Sequence, residues 1–178
     1  MSKSKKLTTL AILTALAMIL SFVESLVPPI VPIPGIKIGL CNVAILFVLY
    51  KLGFKEACLV SIIRVVLVSM LFGNFQSMLF SLAGAALSLT AMALLKKVPK
   101  LSLIGVSVAG AVSHNIGQII MACIIMETNI IVYYLPFLLI SGIVTGIVIG
   151  IVGALLLNRF DKILFDKTKD APPKSKTE

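Results

Sequence analysis

The sequence predicts an all-α membrane protein, a bundle of six transmembrane helices. Three observations predict it. First, 59% of the 178 residues are hydrophobic, and mean hydropathy is +1.12; a soluble domain is nearer 45–50% apolar, and the excess must face lipid. Second, 13% of the residues are charged, about half the usual share. Third, apolar runs approaching the roughly 20 residues needed to cross a bilayer recur along the chain, separated by short breaker-rich segments.

The expected spans cover 7–27, 36–50, 56–73, 77–95, 102–126 and 134–157. The first has a basic start, "KSKK", but its apolar stretch exceeds a signal-peptide core and no small-residue cleavage site follows, so it reads as an uncleaved span. The second is short, with little tilt or a re-entrant course. The connections "PPIVPIPG" (28–35), "KLGFK" (51–55), "GNFQ" (73–76), "KKVPK" (96–100) and "ETN" (127–129) are turn signals, and none is long enough to separate two domains. The expected organisation is one six-helix domain over 1–158 and a polar, basic cytoplasmic tail over 159–178.

The charge pattern orients this bundle. Of the 16 Lys and Arg residues, all but two fall before the first span, between spans two and three, between spans four and five, or after the last. With six spans, these segments share one side. The opposite side has Lys37, and Arg64 lies inside the membrane. The bias toward a positive cytoplasmic face places both termini in the cytoplasm. It also accounts for the net charge of +9 without nucleic acid: the basic segments sit beside the anionic lipid bilayer.

The polar residues within the spans are the candidate site. At 1.5 Å per residue, Arg64 in "SIIRVVLVSM" lies about 13 Å from the cytoplasmic end of its span. His114, Asn115 and Gln118 lie roughly 18–24 Å along theirs, in the outer half. Glu24 closes the first span, and Lys37 and Asn42 open the second. An ionised group at mid-membrane costs about 2.5–3.5 kcal/mol or more on insertion scales, so such groups face the interior and mark ligand paths. His114 and Gln118 share a helix face. These residues suggest an outward-facing pocket for a small anionic substrate, with Arg64, Lys37 and His114 as donors. The alternatives are a structural Arg64–Glu24 pair and hydrogen bonding between helices through His114 and Asn42.

Other signals are structural or absent. Cys41, Cys58 and Cys123 have no metal or redox spacing and read as small buried residues. Gly142, Gly146 and Gly150 in "GIVTGIVIG" repeat at four-residue spacing, as do Ala11 and Ala15; both patterns allow close helix packing. No Walker A, G-x-S-x-G, H-E-x-x-H or D-D-x-x-D motif occurs. Mg²⁺-assisted prenyl transfer needs clustered carboxylates, and four of the seven acids lie in the tail. No catalytic residue, metal or cofactor is expected, and motor function must come from elsewhere.

The runs "PGIKIGLCNVAILFVLYKLGFKEACLVSIIRVVLVSMLFG" (34–73), "LIGVSVAGAVSHNIGQ" (103–118) and "YYLPFLLISGIVTGIVIGIVG" (133–153) resemble the bacterial membrane family termed heptaprenyl diphosphate synthase component I, also called the Gx transporter family. That family is in turn similar to the S-components of energy-coupling factor transporters. The resemblance implies a six-helix protein of the bacterial cell membrane. Its ligand would bind in the outer half, and it would dock on a T-component and ATPase subunits through an A-x-x-x-A face, here Ala11 and Ala15. It also implies that "PPIVPIPG" is a lid. The enzyme label implies instead a non-catalytic subunit beside a prenyl diphosphate synthase in making the menaquinone side chain. A third implied role is as scaffold of a quinone- or flavin-linked electron-transfer system.

Overall fold

The structure is a computed structural model and describes residues 3–26 and 39–169. The proline-rich segment 28–35 and Lys37 lie outside the described residues. The elements are α1 (Lys3–Leu26), α2 (Asn42–Lys51), α3 (Phe54–Phe72), α4 (Phe75–Leu95), α5 (Leu103–Met126), a 3₁₀ turn at Ile130–Tyr134, and α6 (Leu135–Lys169). All are helical, as expected for a chain whose backbone polar groups must be satisfied without water.

The count of clear membrane spans is lower than the six expected. Among the described residues four helical stretches are long and apolar enough to cross: Lys6–Leu26, Phe75–Leu95, Leu103–Met126 and Ile130–Arg159. The other two depart for different reasons. With 19 residues α3 reaches about 28 Å, but Lys55, Glu56 and Arg64 dilute its apolar character. With ten residues α2 reaches about 15 Å, half a bilayer.

The short helix is the centre of the fold. Seven of the ten α2 residues are buried, on all sides. A helix apolar all round is a core helix, and α2 packs against α1, α3 and α6. Ile45, Leu46, Val48 and Leu49 join Val60 and Ala57 of α3, Leu89 and Met92 of α4, Val106 of α5 and Ile149 of α6 in one core cluster. Its C-terminal end is held by Lys96, whose Nζ donates to the Leu49 carbonyl at 2.8 Å and lies 4.8 Å from the Tyr50 ring centre. A cation there complements the negative end of the helix dipole.

Around this core, α4, α5 and α6 form a tight layer set by glycine. A Cβ on Gly117 would meet the Ala83 carbonyl oxygen of α4 at 2.7 Å. On the other face of α5, Cβ atoms on Gly146 and Gly150 would meet the Cα atoms of Val108 and Ile104 at 2.6 and 2.8 Å, and one on Gly142 would meet Asn115 Nδ2 at 2.8 Å. The α6 glycines therefore face α5, and the backbones approach closely as small-residue seams allow. The helix α6 continues to Lys169, past the point where the sequence places the start of a tail.

A buried guanidinium at the entrance to the central helix

The polar residues divide into two groups. The first gathers where α1, the start of α2 and α3 meet. Its centre is Arg64, 5% exposed. Arg64 Nη1 donates to the Ser21 hydroxyl of α1 at 3.3 Å and to the Cys41 sulfur at 2.7 Å. Arg64 Nε and Nη2 have no hydrogen-bond partner among the described residues. On a guanidinium these two nitrogens share one edge, the fork that grips two oxygens of a carboxylate or phosphate side by side.

The backbone entering α2 shapes the rest of this group. Gly39 sits at φ +90°, where a side chain is disfavoured, and a Cβ there would also meet Asn42 Nδ2 at 2.9 Å. The Gly39 amide donates to Glu24 Oε1. Glu24 is 5% exposed, and Asn42 is buried at the first position of α2. Ser21 and Glu24 are three apart on α1 and so share a face. The α2 amides turn back onto Gly39, Leu40 and Cys41, and the positive end of the helix dipole lies beside Arg64. Thus Arg64, Glu24 and Asn42 come together. Arg64, however, bonds Ser21 and Cys41, and Glu24 bonds Gly39.

The second group is the polar row of α5, which turns toward its neighbours. Asn115 Nδ2 donates to the Leu138 carbonyl of α6 at 2.7 Å. Gln118 is fully buried, and both its Cγ and the His114 Cε1 lie 3.0 Å from the position a Cβ on Gly84 of α4 would take. The His114 imidazole is buried against Gly84. Its Nδ1 has no partner among the described residues. The α5 row is therefore largely a joint between helices.

Sequence reasoning missed Ser21 and took Cys41 for a small apolar residue; neither carries a spacing signal that points to arginine. It also left Gly84 and Gly117 out of the packing seams. Ala11 and Ala15 lie exposed on the outer face of α1. No group of three or more His, Cys, Asp or Glu able to hold a metal occurs among the described residues.

Against this geometry the comparisons with known proteins are sparse. No curated protein and no solved structure matches the chain. A family model described as heptaprenyl diphosphate synthase component I matches residues 13–156. That stretch runs from α1 into the middle third of α6 and contains Ser21, Glu24, Cys41, Asn42, Arg64 and His114. The chain, with its several helices long and apolar enough to cross a membrane, belongs to the heptaprenyl diphosphate synthase component I family.

Proposed function

We propose that the chain is a substrate-binding membrane protein of the S-component kind, which captures a small anionic substrate at Arg64 and relies on an external ATPase module for uptake. The observation that carries the reading is the buried guanidinium with its Nε–Nη2 edge unpartnered among the described residues. Buried charges are normally paired and fully hydrogen-bonded, and one left unsatisfied is costly. A carboxylate or phosphate at that edge would supply both charge and acceptors. In this reading Asn42, Glu24 and Lys37 border the ligand, and His114 contributes its Nδ1. Asn115 and Gln118 hold the wall behind it. In this reading both termini are cytoplasmic and the Arg64 site opens outward. Ala11 and Ala15 are the face for a T-component, and 28–35 is the lid.

The family description favours a second reading, a non-catalytic membrane subunit beside a prenyl diphosphate synthase. The two separate on one experiment: protein mass spectrometry of what co-purifies with the tagged chain from its own membranes. A T-component with ATPase subunits supports the transport reading. A soluble prenyl synthase subunit without them overturns it in favour of the second.

A further inference from the structure

A different site lies at the other end of α1. A cleft of about 400 Å³ runs between α1, α2 and the end of the α6 span. Its wall is apolar, from Leu13 and Leu16 of α1, Val43 and Phe47 of α2, and Leu156 of α6. The size falls within the roughly 300–1,000 Å³ range of ligand pockets. Two polar residues, Thr9 and Arg159, complete the lining, and both stand at the same end. Thr9 lies near the start of α1, and Arg159 is the last residue of the α6 span. From Thr9 to Leu16 the cleft is about 10 Å long at the helical rise.

The cleft opens sideways. Leu16 is 41% and Leu156 42% exposed, and α1 is the least buried of the four long apolar helices. In a membrane those positions meet acyl chains. The polar end coincides with the end of an apolar span, the depth at which headgroup phosphates lie. A guanidinium there pairs with phosphate in a fixed two-point geometry.

We propose that this cleft is a binding site for an anionic phospholipid, with one acyl chain against Leu13, Leu16 and Phe47 and the phosphodiester on Arg159. The lining favours a phosphodiester over a prenyl diphosphate. One described guanidinium matches one phosphodiester charge. A diphosphate calls for further cations or a metal, and no metal-holding acidic cluster occurs among the described residues. The site does not involve Arg64, which lies on the α3 side of α2's entrance.

The test is thermal unfolding of the purified full chain in dodecyl maltoside, with dioleoyl phosphatidylglycerol, dioleoyl phosphatidylcholine or farnesyl diphosphate added. Phosphatidylglycerol is expected to raise Tm by several degrees more than the other two. Arg159→Gln, at an exposed position, should remove that preference while leaving the lipid-free Tm unchanged. Leu16→Trp, which fills the cleft, should remove the response to phosphatidylglycerol. Equal shifts with both phospholipids, a preference that survives Arg159→Gln, or a larger shift with farnesyl diphosphate would each overturn the proposal.

Discussion

The two halves of the bundle solve the problem of a membrane interior in opposite ways. The α4–α5–α6 half is joined by glycine seams, and its α5 polar side chains are directed at neighbouring helices, as Asn115 is at the Leu138 carbonyl. The α1–α2–α3 half holds a buried guanidinium with one edge unpartnered among the described residues. One half is organised for cohesion. Its unpartnered buried atoms among the described residues are two serine hydroxyls, of Ser88 and Ser107, and the imidazole nitrogen His114 Nδ1, whereas the other half leaves two nitrogens of a guanidinium unsatisfied, a costlier deficit and the usual mark of a functional position. A site that needs a ligand to complete it belongs in the half that is not locked by backbone contact.

The comparison can be broken most strongly at the seam. Gly146→Leu would place side-chain atoms where Val108 Cα already stands, and overpacking of this kind costs about 1–3 kcal/mol or more. The expected result is a large fall in Tm in detergent, with Gly146→Ala intermediate. An unchanged Tm would mean that α5 and α6 are not in backbone contact.

Next is Arg64→Met, which should separate stability from binding. Replacing a buried ion by an apolar side chain of similar length is often neutral or stabilising, by about 1–4 kcal/mol. The ligand-free Tm should therefore hold or rise while the bound anion is lost. Arg64→Lys keeps a charge but not the fork, and should weaken binding without abolishing it. A fall in ligand-free Tm for Arg64→Met would make Arg64 a structural brace of α1 and α2.

Smaller effects sharpen the account of the centre and the edge. Lys96→Met removes the bond to the Leu49 carbonyl at the end of α2 and should cost about 1–2 kcal/mol, read from the unfolding midpoint. Glu127 ends α5 in the left-handed region at φ 49°, where glycine is preferred. Glu127→Gly should raise stability by no more than about 1 kcal/mol. A loss there would show that the Glu127 side chain has work beyond the turn.

The sequence makes the apolar helices legible because hydropathy reports the solvent directly. It makes Arg64, Glu24 and Asn42 legible as neighbours because depth along each span is a matter of counting residues. It does not show which neighbour a face meets. His114 and Gln118 share a face by spacing, but the presence of Gly84 of α4 opposite them is decided by tertiary packing. In the same way Cys41 reads as a small apolar residue until the start of α2 brings its sulfur against Arg64. The short α2 reads as a span because composition cannot distinguish a helix surrounded by lipid from one surrounded by other helices.

The central claim is that the Arg64 charge is answered by a bound anion. Its most direct test is mass spectrometry of the small molecules released on denaturing the purified wild-type chain and Arg64→Met, each prepared from the same membranes. The account predicts an anionic compound other than phospholipid, near one per chain in the wild type and absent from the variant. The same non-lipid compounds in equal amounts from both, or no non-lipid anion from either, would contradict it.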